Sequence, residues 1–225
     1  MAFDQRWEKE IYANHLQINR YPYNDIVSAV FRCFAGVEDR SNIHILELGC
    51  GTANNIWFFA QEGFTATGID GSESAIRLGQ DILKQKGLEA RLICQDFTDL
   101  SQFADQSFDM VVDRGSITHN GRAGVEKTIS EVYRILKKGG IFLSHIFSTE
   151  HQGMQYGKPL GDGSYHKFEG GFFDQIPLLF FFASEDDIVE LYHSKFNMLS
   201  QIHNVHYEML PAANKRAMWQ LICEK

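Results

Sequence analysis

The chain has 225 residues, with 21 Lys+Arg against 29 Asp+Glu and 44% hydrophobic residues, enough to bury one sizeable core. A charged fraction of 22% without polar tracts excludes a disordered chain, and the net charge of −8 argues against a broad basic face for nucleic acid or an anionic membrane. The longest apolar run, 176–183, is too short to cross a bilayer and contains Pro177. Asp4, Arg6, Glu8, Lys9 and Glu10 do not read as a signal peptide. The scattered cysteines Cys33, Cys50, Cys94 and Cys223 build neither a CxxC pair nor a zinc knuckle. A cytoplasmic protein is expected, with no nucleic-acid or membrane partner and no metal.

The first forty residues read as helical, with apolar positions at Trp7, Ile11, Leu16 and Ile18, then Ile26, Val27, Val30, Phe31 and Phe34, and a break at Tyr21-Pro22. From Ile43 short apolar runs alternate with helices. Residues 43–48 predict a buried strand, the stretch after Ala53 a helix up to Gly63, and 64–69 a second strand. Ser72 caps a helix over 72–86 that Gly87 stops. Residues 89–94 and 108–112 predict a third and a fourth strand. The next helix carries Val125, Ile129, Val132, Tyr133 and Leu136 on one face. It is expected to end in Lys137-Lys138-Gly139-Gly140, cations at the negative end of the dipole and glycine at the left-handed cap. Residues 141–147 predict a fifth strand. Strands apolar on nearly every residue, separated by helices, predict an α/β sandwich around a parallel sheet.

Two later features break the alternation. Residues 153–182 are rich in glycine and aromatics, without a clean period, and longer than an ordinary connection. Ser184-Glu-Asp-Asp187 opens a helix with Ile188, Leu191 and Tyr192 inward. Residues 198–209 and 216–224 then predict an antiparallel hairpin.

The sharpest motif is Leu46-Glu47-Leu48-Gly49-Cys50-Gly51-Thr52 at the end of the first strand. Two glycines one residue apart let the backbone turn tightly and approach a ligand, and the next helix presents its N-terminus there. Asp70 ends the second strand 19 residues after Gly51, the spacing at which a carboxylate accepts both hydroxyls of a ribose. Two readings compete, a nicotinamide or flavin dinucleotide and another adenosine cofactor. Asn54 stands where the third dinucleotide glycine would be, and Glu47 would repel a pyrophosphate but welcome a cationic amine. Both departures favour a positively charged cofactor without phosphate. S-adenosylmethionine has that chemistry.

Here the chain resembles the class I S-adenosylmethionine-dependent methyltransferases of the small-molecule type, over about 43–147 and more loosely to the C-terminal hairpin. Ile45-Leu-Glu-Leu-Gly-Cys-Gly-Thr52 is similar to the family's first motif, which implies Glu47, Gly49 and Gly51 around the methionine and ribose. Gly68-Ile-Asp-Gly-Ser72 is similar to the second, which implies Asp70 on the ribose. Cys94-Gln-Asp-Phe97 implies Asp96 on the adenine amino group and Phe97 beside the ring. The stretch 108–116 implies Asp113 and Arg114 under the cofactor, and 131–140 resembles the helix and turn before the fifth strand.

The fold implied is Rossmann-like and doubly wound, a mostly parallel seven-stranded sheet with a C-terminal antiparallel hairpin and an N-terminal helical lid. One domain is expected over 1–225: a lid over 1–40, a cofactor-binding core over 41–149, a substrate-covering insert over 150–183, and a C-terminal helix and hairpin over 184–225. Tyr12, Arg20 and Tyr21 are expected in lid helices, with Arg20 as a partner for the methionine carboxylate.

Methyl transfer needs alignment and exclusion of water, and a base only where the acceptor must lose a proton early. His119, in the loop after the fourth strand, is the best base candidate, the bland alternative being a loop histidine that packs. On that ground oxygen is favoured over nitrogen or carbon as the methylated atom. Tyr156, Tyr165, His166 and Phe168, with the phenylalanines at 172–173 and 180–182, make an aromatic acceptor pocket if the insert covers the site. The expected activity is methyl transfer to a small or medium-sized acceptor by a monomer or homodimer. A cofactor-binding module without turnover and a nicotinamide-dependent oxidoreductase are the alternatives.

Overall fold

The computed structural model describes residues 4–14, 18–174, 179–209 and 213–225. A π-helical turn over Trp7–Tyr12 and helix α1 (Asn24–Cys33) lead into strand β1 (His44–Leu48). There follow α2 (Asn54–Gln61), β2 (Thr65–Asp70), α3 (Glu73–Lys86), β3 (Arg91–Cys94), β4 (Phe108–Arg114), α4 (Arg122–Ile135) and β5 (Leu136–Phe147). The insert contributes β6 (Lys158–Pro159), β7 (Ser164–His166) and β8 (Phe180–Phe181), and α5 (Glu185–Ile188) runs on as a π-turn to His193. Strands β9 (Asn197–Glu208) and β10 (Asn214–Glu224) complete the chain's regular structure.

The large sheet has seven strands in the order β3-β2-β1-β4-β5-β10-β9. Its first five are parallel, and β10 and β9 join antiparallel. Ile45, Leu46 and Leu48 of β1 are fully buried, because helices cover both faces. One core packs Ile129, Val132 and Ile135 of α4 with Tyr192 against one face. The other packs Ile26 and Val30 of α1 with Ile56 and Phe59 of α2 against the opposite face. The chain winds outward from β1 to β3, then returns to β4 on the other side of β1. That reversal opens a crevice at the carboxyl ends of β1 and β4, where ligands of open α/β sheets bind.

Local chemistry places the ends. The Ser72 hydroxyl accepts from Ala75 N–H at 3.0 Å and caps α3, and Gly87 takes the left-handed conformation at its close. Ser184 and Asp187 form a reciprocal capping box at α5. The 184–225 segment follows the predicted helix and hairpin.

Three expectations change. Helix α4 stops at Ile135, and Lys137–Gly140 belong to β5, where the β4 register shifts between Phe108 and Met110. Strand pairing claims those backbone groups: Gly139 N–H donates to Lys225 O at 2.8 Å, and Lys137 Nζ sits 2.8 Å from the Asp109 carboxylate. Arg20 and Tyr21 lie outside any helix, their carbonyls held by Trp57 Nε1 at 3.3 Å and Asn54 Nδ2 at 3.0 Å. The third strand begins at Arg91. Leu16 and the Phe172 side chain lie outside the described residues.

Candidate functional site

A cavity of about 240 Å³ opens at the carboxyl ends of β1 and β4. Its floor is the β1–α2 turn. Gly49 and Gly51 have φ of +63° and +51°, a region L side chains avoid. Crowding adds a second reason. A Cβ at Gly49 would lie 2.1 Å from Ser116 Oγ, and one at Gly51 would lie 2.9 Å from Tyr12 Oη.

Asp70, at the end of β2, fastens that turn. Its Oδ2 accepts from Gly51 N–H and its Oδ1 from Ser72 N–H, both at 2.9 Å. Burial raises the carboxyl to about 6, against the pull of those two donors. Asp96 and Phe97, just beyond β3, also line the cavity, and Asp96 Oδ1 accepts from Thr98 N–H at 2.9 Å.

Glu47 occupies the wall and is almost fully buried. Its Oε1 accepts from Asn55 Nδ2 at 2.6 Å, whereas Oε2 is buried without a hydrogen-bond partner among the described residues. Burial, with the charges of Asp113 and Asp70, pushes this carboxyl up to about 8 despite the Asn55 donor. An orphaned buried acceptor is costly. A cationic donor arriving in the cavity would relieve it.

The roof comes from the N-terminal segment. Trp7, Tyr12, Asn19 and Tyr23 line the cavity. Glu8 fixes the turn between them: Oε2 accepts from Ser72 Oγ at 2.5 Å and Ser74 N–H at 3.0 Å, and Oε1 from Ser74 Oγ at 2.6 Å. Burial opposes ionisation of Glu8, but the Ser72 and Ser74 donors outweigh it and hold the carboxyl below its ordinary range. Asn55 Oδ1 accepts from Tyr23 N–H at 3.0 Å, so α2 grips the strap over 20–23.

A crevice at a strand-order reversal, floored by a glycine turn that an acid fastens from the next strand, is a nucleoside-cofactor cradle in shape and chemistry. Residues 45–140 match the protein family described as a methyltransferase domain. The matched domain lies in a fold that solved S-adenosylmethionine-dependent methyltransferases share. A putative methyltransferase of Geobacillus sp. (strain WCH70) is 30% identical over 134 residues, 59% of this chain and 53% of the relative. The chain thus spans about half the length of such curated relatives. A crystal structure of a SAM-dependent methyltransferase from Methanosarcina mazei shares the fold, with a TM-score of 0.68 and 22% identity over 91% of this chain and 98% of that one. So does the Burkholderia thailandensis 1,6-didemethyltoxoflavin-N1-methyltransferase, solved with bound 1,6-didemethyltoxoflavin and S-adenosylhomocysteine. Its TM-score is 0.63 and its identity 15%, over 90% of this chain and 79% of that one.

Glu47, Gly49, Gly51, Asp70, Asp96, Phe97, Tyr12 and His119 all line one cavity. Two predicted residues do not. Asp113 is fully buried and turns away: Oδ1 accepts from Ser116 N–H at 2.7 Å and Ile117 N–H at 3.0 Å, and Oδ2 from Ser144 Oγ at 3.2 Å. It closes its own loop from below, and burial lifts it to about 7. Arg20 is also absent from the lining, because its segment is extended.

His119 faces the cavity between aromatic rings, Trp7 edge-on at 5.0 Å and Phe180 at 4.7 Å. Its Nδ1 is buried without a hydrogen-bond partner among the described residues, and burial depresses the imidazole to about 3. Among the described residues, no carboxylate is hydrogen-bonded to it. Most of the insert's aromatics form their own core, with Phe168, Phe173, Phe180 and Phe182 packed together, and Leu179 brings the insert to the cavity wall. Among the described residues, no group of three or more His, Cys, Asp or Glu side chains is placed to hold a metal ion, and no helix is long and apolar enough to cross a membrane.

Sequence reading missed Glu8, Asn19, Tyr23 and Asn55. Asn55 beside Asn54 was the readable signal, because two amides at a helix start are poor helix formers with hydrogen bonds to give.

Proposed function

We propose that this chain moves a methyl group from S-adenosylmethionine to a small or medium-sized organic acceptor. It works as one domain, in which 1–40 form the lid, 41–149 hold the cofactor, 150–183 flank the acceptor side and 184–225 complete the sheet. The carrying observation is the orphaned Oε2 of Glu47, buried in the wall of the cavity beside a positive-φ glycine turn. A cofactor with a primary ammonium satisfies that oxygen, and a pyrophosphate does not. Asp70, fixed by two N–H donors, retains lone pairs for ribose hydroxyls. Asp96 and Phe97 suit the adenine amino group and ring, and Tyr12 closes over Gly51. When bound, the cofactor supplies an electrophilic methyl carbon on a sulfonium.

The chain's own contribution is alignment and exclusion of water, with Trp7 and Tyr12 as roof. His119 walls the acceptor side as a neutral ring. Because burial leaves that ring a weak base, the acceptor brings its own lone pair at neutral pH, as a thiolate, a carboxylate or an aromatic ring nitrogen does. Calorimetric titration with S-adenosylhomocysteine tests the reading: micromolar binding is expected in the wild type and none in Asp70→Ala. A wild-type protein without affinity for that nucleoside sinks it.

A further inference from the structure

We propose that Arg114 anchors the α-carboxylate of the cofactor; the inference rests on the cofactor reading above and assigns the half of the amino-acid group that Glu47 leaves unserved. The cavity lining carries four carboxylates, Asp4, Glu47, Asp70 and Asp96, and among the described residues its one Lys or Arg is Arg114. A group that brings an ammonium to Glu47 brings a carboxylate on the same carbon. Among those four acids, the one cation of the lining is the group whose charge favours it.

Strand register puts Arg114 in the right place. Leu48 at the end of β1 pairs with Asp113 of β4, so Arg114 stands one step further on, level with the glycine turn. Successive side chains of a strand point to opposite faces. Asp113 therefore turns to Ser144, and Arg114 turns to α1 and the strap before it.

The guanidinium is held there in advance of any ligand. Its Nε lies 3.1 Å from Asp25 Oδ2, and its carbon lies 4.4 Å over the Tyr23 ring. The Asp25 contact is an ion pair in which Nε makes no hydrogen bond among the described residues, and the ring covers one face, so the terminal nitrogens are the fork that matches a carboxylate. Below it, His145 of β5 is fully buried, with Nε2 3.8 Å from Asp25 Oδ2 and neither ring nitrogen hydrogen-bonded among the described residues. Burial and the Arg114 charge keep this imidazole neutral, at about 4, so Asp25 serves one cation.

The test compares S-adenosylhomocysteine with its decarboxylated analogue, which keeps the adenosine and the amine, by calorimetric titration. Wild type is expected to prefer the parent by about tenfold or more. Arg114→Ala is expected to bind the analogue as wild type does and the parent no better, so that the preference collapses. Arg114→Lys, a point charge without the fork, is expected to keep part of it. Should Arg114→Ala fail to fold, Arg114→Gln keeps the stem over Tyr23 and is expected to show the same collapse. An Arg114 variant that keeps the full wild-type preference overturns the assignment. So does a wild type that binds both nucleosides alike, which would leave the cofactor reading intact and the carboxylate contact to the acceptor. A wild type that binds neither nucleoside overturns the cofactor reading and this inference with it.

Discussion

The floor and the roof of the cavity are made from similar residue types but held in different ways. The floor belongs to the sheet. Glu47 and Asp70 are strand residues whose positions follow from the pairing of Glu47 with Gly68 and of Asp70 with Cys94, and Gly51 is tied to Asp70 by a backbone N–H. The roof has no strand to hold it. Trp7 and Tyr12 depend on the Glu8 carboxylate at the start of α3, and Tyr23 depends on Asn55. Segments held by a few side-chain bonds open at lower free energy than strands buried on both faces. A ligand therefore meets a finished floor under a roof that can move.

That contrast breaks most visibly at Asp70. Asparagine keeps the shape but has one acceptor oxygen for the two N–H groups of Gly51 and Ser72. Asp70→Asn is expected to weaken S-adenosylhomocysteine binding by roughly 100-fold and to lower the melting temperature, because a buried donor is left unpaired. Binding within a few-fold of wild type would show that the floor does not depend on this carboxylate. The roof should give less. Glu8→Gln removes the charge that three donors share, and about a tenfold loss of affinity is expected, carried by faster release measured in stopped flow. An unchanged release rate would mean that the Glu8 latch does not govern access.

The same division separates what was readable in the sequence from what was not. The glycine turn, Asp70 and the strands around them were legible, because their chemistry is local and their spacing is set by one βαβ unit. Asp113 was misplaced for a reason equally local: it belongs to the matching motif, but the two-residue period of β4 sends it to the Ser144 face and Arg114 to the cavity. Arg20 failed differently. Apolar spacing suggested a helix that tertiary bonds from Asn54 and Trp57 replace with an extended strap. Glu8 carries no signal of its own, since nothing in a run of charged residues says which of them will meet a helix N-terminus 64 residues away.

Glu47 turns the comparison into a pH experiment. In the unliganded fold Glu47 and Asp113 are raised from 4.5 to about 8 and from 3.8 to about 7. The unfolded chain has already released these protons, so stability falls as pH rises toward the folded values. His119, His145 and His151 run the other way, depressed from 6.5 to about 3, about 4 and about 4, and their stabilising effect is complete above pH 6.5. Between pH 6.5 and 8, the unliganded melting temperature is therefore expected to fall. Glu47→Gln should recover roughly 1–2 kcal/mol of that loss. Near pH 7, S-adenosylhomocysteine should release a proton from wild type on binding, seen as a heat that depends on the ionisation enthalpy of the buffer. Binding without proton release, or a slope that Glu47→Gln leaves unchanged, would show that the orphaned oxygen does not receive the amine.

The smallest effect is expected at His119, where floor and roof meet. An efficient general base has its pKa near the working pH and a partner that orients it. This ring has Trp7 and Phe180 against it, a buried Nδ1 without a partner among the described residues, and an imidazole held at about 3. Phenylalanine preserves the packing and removes both nitrogens. With a thiolate, carboxylate or aromatic ring-nitrogen acceptor that turns over, His119→Phe is expected to keep kcat within about threefold, with no inflection lost from the pH–rate profile. A fall of roughly 100-fold together with loss of the acid-limb inflection is what removing a general base would produce. That result would restore a hydroxyl as acceptor, and it would move His119 from the wall of the site to its chemistry.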